Sequence, residues 1–484
     1  MQIGKRKSGF YGNLYDRSSG VPGSCKLISV HWPDKSNLRF LVDAGAGQGN
    51  ENGGFFNCFF PFNTEKISFI ILTHGHHDHQ GLLPVVVRQG FKGNIYSSYA
   101  TSRLINLSLY DCCKISDPYL SSPLASRNEV ERTLDLIVGC SYKKVIKPHK
   151  NVTVVFYSNG HLVGAIVTLV ILSCPGEDDI TLIFTGDYKS NNIFFDVDEI
   201  PQKIRNLNIS AIFCESTYGD VDSTDKKFSK CLATNTAKAL SKGMTVVYPT
   251  FAQGRCQEVL YSIKKWKEEN IIPKDIPIIL DGKSSQRFTI SYMHDDLGIK
   301  ATMKNFIPAG VKLVAQNQDR MIYRREIMED TNPKIILSSG GMASYGAITN
   351  YISHYLTQEN ALIHLLGYCS PDSEAYKLLH STNGEKLMYN GNEYVRRCQI
   401  AKTAEFSSHA KRDELLEFIE KFPNAKSVII SHGEPSVKKL FREYLLNHLN
   451  IPEDQVAIST PEIGYRIESN GITDMFETNF SSIL

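Results

Sequence analysis

Residues 70–79 read Ile-Ile-Leu-Thr-His-Gly-His-His-Asp-His, an apolar segment running straight into four histidines and one aspartate. Imidazole nitrogens and carboxylate oxygens are donors that zinc accepts. Residues two apart on an extended segment project to one side, so the spacing predicts His74, His76 and Asp78 on a common face. A turn of the chain then brings His79 alongside them. His77 projects the other way and is read as a non-ligand. A solvated polar loop or a helix start is the plainer account of such a segment, but neither requires the buried strand that Ile70, Ile71 and Leu72 imply. The chemistry to expect is that of bound divalent metal.

Such a cluster needs a rigid frame. Short apolar or β-branched runs at residues 26–31, 39–43, 67–72, 152–157, 166–172 and 181–184 predict strands. Apolar residues at three- and four-residue spacing predict helices over 82–88, 100–110 and 129–138, so the first part reads as sheets covered by helices. From about residue 210 the rhythm changes. Runs at 244–248, 276–280, 334–338 and 361–366 read as continuous buried strands, alternating with helices such as 255–268 and 347–355, the pattern of a parallel α/β domain. After about residue 391 come strands at 399–404 and 428–431 and helices at 413–421 and 436–449. There is no internal repeat or long linker, so a second domain is expected as a compact insertion.

The bulk properties agree with an enzyme. At 484 residues the chain exceeds what one core serves, and two domains, one of them split, are expected. The composition, 42% hydrophobic and 21% charged, is ordinary for a soluble enzyme, and the apolar stretch at 165–172 is far short of the ~20 residues that span a bilayer. The basic start lacks a following apolar run, so no secretory signal is read and a cytoplasmic location is expected. Eleven cysteines include no C-x-x-C pair, which argues against a disulfide framework or a thiolate zinc site. A net charge of +2 neither requires nor excludes nucleic acid.

The pattern His74-x-His76-x-Asp78-His79 resembles the metal-binding signature of the metallo-β-lactamase superfamily. Asp43, followed by Ala44-Gly45-Ala46-Gly47, resembles its first motif, an aspartate that supports the metal ligands from behind. His161, in Asn159-Gly160-His161, resembles the third motif, and Asp187, in Thr185-Gly186-Asp187-Tyr188, the fourth. Three later segments are similar to those of the β-CASP nucleases within that superfamily. Glu215 in Glu215-Ser216-Thr217-Tyr218-Gly219 matches motif A, His409 in Phe406-Ser407-Ser408-His409 motif B, and His432 in Ser431-His432-Gly433-Glu434 motif C. Supporting segments around Gly254-Arg255, Gly340-Gly341 and Gly367-Tyr368 match as well.

This resemblance implies a four-layer αββα domain from residues 1–207 and 393–484, a parallel α/β β-CASP domain inserted at 208–392, and an active site in the cleft between them. It implies two Zn2+, with Mn2+ as the alternative. One would be held by His74, His76 and His161, the other by Asp78, His79 and His432, with Asp187 bridging. Two divalent ions roughly 3.5 to 4 Å apart can hold a hydroxide and stabilise both oxygens of an in-line phosphoryl displacement. Asp78, His409 and Glu215 form the implied catalytic set, with Glu215 orienting His409 as proton donor to the departing sugar oxygen. A histidine at motif C is the habit of the family's RNA-processing members, so single-stranded RNA is the implied substrate, whether cut internally or from a 5′ end. A homodimer is compatible with it.

The chain departs from the common family form at Cys369-Ser370-Pro371, where many relatives have a glycine-threonine step. About fifty residues follow motif C, which reads as a compact bacterial or archaeal type without an appended RNA-binding domain. Arg255, Lys283, Arg287, Arg320, Arg324 and Arg325 could contact phosphates, as could Lys143, Lys144, Lys147 and Lys150, but ordinary surface charge is the simpler reading for both sets. Two rival functions share parts of the pattern. A hydrolase of small esters or thioesters would have no use for Glu215 and His409, and an inactive partner subunit of an RNA-cleavage complex would be expected to have lost ligands.

Overall fold

The computed structural model describes residues 9–18, 20–21, 23–47, 60–113, 116–117, 122–224 and 231–478; the first eight residues, part of the basic start considered above, lie outside them. The chain divides into two compact units, one of Met1–Ser223 with His409–Leu484, the other of Thr224–Ser408.

The first unit is built on two sheets. Across the eight-stranded sheet the order is Gly471–Glu477, Ile463–Glu468, Tyr11–Asp16, Lys26–His31, Asn37–Val42, Phe69–Ile71, Asn94–Ser98 and Ile137–Cys140. Across the seven-stranded sheet it is Val456–Ile458, Val428–Ile430, Ala211–Cys214, Ile180–Phe184, Ile166–Leu172, Val152–Ser158 and Val145–His149. Alternate residues leave each strand on opposite faces, so a strand covered on both sides is apolar throughout. Phe69 and Ile71 join Phe40, Phe156, Phe184 and Phe213 in the core between the sheets. Ile70 instead packs outward among Val85, Val86 and Ile105, residues of helices Leu83–Arg88 and Tyr99–Leu109. On the far side Ile183, Ile212 and Ile430 pack against Leu415, Ile419, Phe441 and Leu445 of helices Arg412–Glu420 and Pro435–His448. The result is four layers, helix, sheet, sheet and helix, as expected.

The second unit carries a six-stranded sheet in the order Val311–Leu313, Ile278–Asp281, Ile335–Ser339, Thr245–Thr250, Ala361–Leu366 and Gln399–Thr403. Every pairing in it is parallel. Helices Arg255–Glu268, Lys283–His294 and Ile348–Tyr355 supply crossovers that parallel strands require.

Strand pairing puts the joints between units later than residues 207 and 392. Ala211–Cys214 pairs with Ile180–Phe184 and Val428–Ile430, so it completes a sheet of the first unit. Gln399–Thr403 pairs with Ala361–Leu366, so it closes the sheet of the second. A second difference concerns residues 129–138. The helix there is Arg127–Asp135, begun by a Ser126–Glu129 capping box, and the β-branched Ile137 and Val138 instead join a strand beside Asn94–Ser98. Among the described residues no helix is long and apolar enough to cross a membrane.

His364 lies in Ala361–Leu366 with no exposed surface, its ring 6.1 Å from that of Tyr248. Among the described residues neither of its ring nitrogens has a hydrogen-bond partner, and burial pushes its pKa down to about 4. In the unfolded chain the ordinary pKa of about 6.5 applies, so as pH falls the unfolded state takes up the proton first. Stability of the second unit is therefore expected to be full above about pH 6.5 and to be lost towards pH 4, by up to about 3 kcal/mol. The chain has two tryptophans, and a Trp32→Phe background leaves Trp266 of the second unit as reporter. Its urea midpoint should drop between pH 7.5 and 5, and His364→Leu should flatten that dependence. An equal drop in both proteins would clear His364 of responsibility.

Candidate metal centre

Several strands of the first unit end at one edge, and each delivers a polar residue there. Asn37–Val42 and Phe69–Ile71 are parallel and lead into Asp43 and into Thr73 and His74. In the other sheet, Ile180–Phe184, Ala211–Cys214 and Val428–Ile430 are parallel and lead into Asp187, Glu215 and His432. The antiparallel pair Val152–Ser158 and Ile166–Leu172 is joined by the connection that carries His161. The Ile166 N–H donates to the Thr73 carbonyl at 3.1 Å, tying the two sheets at this edge.

The histidine-rich segment is only partly extended. The strand ends at Ile71, the chain bends at Gly75, and His76 caps a four-residue helix, His77–Gln80, so Asp78 and His79 reach the site from a helical turn and not from a continued strand. Backbone bonds from distant residues impose that turn: Ser24 N–H to Asp78 O at 2.8 Å, Ala44 N–H to His79 O at 2.8 Å and Ala46 N–H to His77 O at 3.1 Å. A Cβ on Gly45 would lie 1.6 Å from the Asp78 carbonyl oxygen, so only glycine permits this approach.

Two groups of side chains converge. His74, His76, His161 and Asp187 form one, and Asp78, His79 and His432 the other; within each, the donor atoms lie within 4.8 Å of one another. Asp187 faces both. Its Oδ2 is 3.5 Å from His74 Nε2 and 3.6 Å from His161 Nε2, while Oδ1 is 3.1 Å from His79 Nε2 and 3.2 Å from His432 Nε2. Yet Asp187 Oδ1 and the Nε2 atoms of His74, His79 and His432 are buried without a hydrogen bond among the described residues. Buried polar atoms that crowd together without bonding geometry fit coordination about a shared cation. Burial drives the pKa values of His74 and His432 well below the usual imidazole range, against the pull of Asp187, leaving their lone pairs for a metal. Burial also raises Asp78 to about 6.

Hydrogen bonds from Asp43, Thr73 and Asn159 orient these donors. Asp43 accepts from Thr73 N at 2.8 Å and from Thr73 Oγ1 at 2.8 Å, and His79 Nδ1 donates to Asp43 Oδ2 at 2.7 Å, which aims Nε2 at Asp187. Asn159 Nδ2 donates to the carbonyls of Thr185 and Asp187, and its Oδ1 accepts from His161 N at 2.9 Å. Asp43 and His432 both hold left-handed backbone, φ 64° and 48°, a strain that the surrounding bonds sustain. In the sequence, only adjacency to His74 marks Thr73 and only nearness to His161 marks Asn159.

His409 stands beside the groups. Its Nδ1 is 3.0 and 3.1 Å from the two oxygens of Glu215, and its Nε2 is 3.9 Å from Asp187 Oδ2. Burial would strip its proton, but the carboxylates of Glu215 and Asp187 outweigh burial and the pKa is raised. His77 lies outside both groups, with Nδ1 4.0 Å from Cys112 Sγ. Of the basic residues considered for phosphate contact, Arg324 is buried on Asp281 at 2.7 Å and Lys143 pairs with Asp198 at 2.6 Å.

Two family models match the chain. The Beta-Casp domain matches residues 256–378, and the Zn-dependent metallo-hydrolase RNA specificity domain matches residues 393–452, the stretch carrying His409 and His432. Among curated proteins, the chain is similar to Ribonuclease TTHA0252 of Thermus thermophilus, 27% identical over 427 residues, covering 86% of this chain and 91% of that protein. It is 25% identical over 439 residues to Transcription termination factor FttA of Methanosarcina mazei, covering 86% of this chain and 65% of the relative. It is also 25% identical over 448 residues to Cleavage and polyadenylation specificity factor subunit 3-II of Arabidopsis thaliana, covering 89% and 68%.

The Asp43–His79 bond makes a direct prediction. Asp43→Asn keeps the shape but turns an amide N–H toward His79, and zinc affinity should fall about tenfold to a hundredfold in chelator competition. Unaltered affinity would mean that Asp43 does not orient the site.

Proposed function

We propose, for a chain that belongs to the β-CASP family of metallo-hydrolases, that this site hydrolyses phosphodiester bonds in RNA. The observation that carries the reading is the pairing of two donor groups facing one shared carboxylate, Asp187, with a carboxylate-backed imidazole, His409, alongside. His74, His76 and His161 would hold one ion and Asp78, His79 and His432 the other, with Asp187 common to both. When bound, two zinc ions would supply Lewis acidity to a phosphodiester and acidify an attacking water.

The chain's own residues supply the rest. Glu215 accepts the Nδ1–H of His409, fixing the tautomer and ring orientation, and leaves Nε2 toward the centre. With its pKa raised by Glu215 and Asp187, the imidazole holds a proton that it can give to the departing sugar oxygen. Glu215 is itself fixed, accepting from Tyr188 N at 2.6 Å and donating its own N–H to Thr185 Oγ1 at 3.0 Å. RNA as substrate is supported by the RNA specificity domain match over residues 393–452 and by similarity to proteins named ribonuclease and cleavage and polyadenylation specificity factor subunit.

The test is cleavage of a labelled single-stranded RNA beside matched DNA, with 5′-phosphate and 5′-hydroxyl ends. Asp78→Ala should abolish cutting, and His409→Ala should lower kcat by about a hundredfold or more with zinc content unchanged. The product ladder separates internal from 5′-end cutting. If the zinc-loaded protein leaves every RNA intact and hydrolyses small esters, the reading is wrong.

A further inference from the structure

The segment that follows Asp187 is gripped from both sides. The Tyr188 N–H donates to Glu215 Oε1 at 2.6 Å, and the Tyr188 carbonyl accepts from Ala410 N at 2.6 Å, the residue after His409. From the other side the Lys189 carbonyl accepts from Gly160 N at 2.7 Å, the residue before His161. The Lys189 side chain then reaches Glu414, with Nζ 3.0 and 2.9 Å from its two oxygens. Ser190 Oγ donates to the same carboxylate at 3.1 Å, and so does the backbone N–H of Lys411, also at 3.1 Å.

Glu414 lies in the first turn of helix Arg412–Glu420, so its carboxylate joins the start of that helix to the strap after Asp187. His409 lies three residues before that helix and is carried with it. The Lys189 and Glu414 side chains are only 18% and 20% exposed, which shields the pair better than an open surface pair.

We infer that the Lys189–Glu414 ion pair is a positioning pair that sets the distance of His409 from Asp187 and so the efficiency of proton delivery. The inference rests on the reading of His409 as proton donor. Without the pair, the segment bearing His409 keeps Ala410 N to Tyr188 O, the Glu215 bond, the Ser190 hydroxyl on Glu414 and the Tyr188–Phe418 ring contact at 4.6 Å, but loses the charged tie between the helix start and the strap. An imidazole misplaced by a fraction of an ångström still binds nothing wrongly; it delivers its proton less often. A plain helix-capping role for Glu414 predicts something different, because the cap needs only an acceptor for Lys411 N and not the lysine's charge.

The experiment compares Lys189→Met, Glu414→Gln, the double variant and Lys189→Arg, all as full-length zinc-loaded protein on the labelled RNA. Glu414→Gln keeps an oxygen for the cap, and Lys189→Met leaves the cap untouched. Each single variant should lose kcat by about tenfold to a hundredfold with KM within about twofold, and zinc per chain should not change. The double variant should be no worse than the poorer single one, because both remove one interaction. Lys189→Arg should recover most of the loss. Wild-type kcat in either single variant, a matching rise in KM, zinc loss in step with kcat, or penalties that multiply in the double variant would each overturn the inference. His409→Ala, run alongside, separates the two failures: full cleavage by that variant sinks the proton-donor reading itself.

Discussion

A carboxylate with 2% exposure that meets four imidazoles is the constraint around which the first unit is arranged. Moving Asp187 out of water carries a large desolvation cost, and the cost is bearable only if positive charge or strong donors meet both oxygens. Meeting both requires polar residues from two sheets to arrive at one point. Parallel pairing of Ile180–Phe184, Ala211–Cys214 and Val428–Ile430 delivers Asp187, Glu215 and His432 at the same edge, the connection between Val152–Ser158 and Ile166–Leu172 adds His161, and the chain after the parallel pair Asn37–Val42 and Phe69–Ile71 brings His74 and His79 from the facing sheet. The buried aromatic core between the sheets, with Phe40 stacked on Phe69 at 4.8 Å and Phe184 on Phe213 at 4.5 Å, keeps these edges in register. Packing and chemistry are thus coupled through strand ends.

The same constraint explains where strain is tolerated. Asp43 and His432 adopt left-handed backbone that non-glycine residues avoid, and each is held by its neighbours. Asp43 is locked by Thr73 and His79, and the His432 carbonyl accepts from Ser216 N at 3.1 Å. Nearby, Gly45 removes a side chain where Asp78 must approach the backbone.

Much of the site was readable in the sequence because metal chemistry restricts residue types. Few segments run an apolar strand into four histidines and an aspartate, and the later His161, Asp187, Glu215 and His432 each follow an apolar run or a glycine, while His409 stands out only through its resemblance to a family motif. What could not be read was anything fixed by a distant partner. Residues 211–214 and 399–403 each form a short strand near a joint, and only pairing with remote strands assigns one to each unit. The turn that swings Asp78 and His79 inward is imposed by backbone donors at Ser24, Ala44 and Ala46. Thr73, Asn159 and Glu414 are ordinary polar residues until the backbone they meet is known.

The insertion of a whole unit between Ser223 and His409 bears on the order in which the protein is made. Strand Ala211–Cys214 is synthesised before the insertion, but its neighbour Val428–Ile430 emerges only after it, so the sheet stays open on one side while the second unit is translated. Six of the seven candidate metal donors are in place by then, and the seventh, His432, is still to come. A ribosome-bound chain therefore carries an unfinished centre beside an exposed strand edge, the condition that favours mispairing. Maturation of this protein turns on how quickly residues 409–484 close that edge once they emerge.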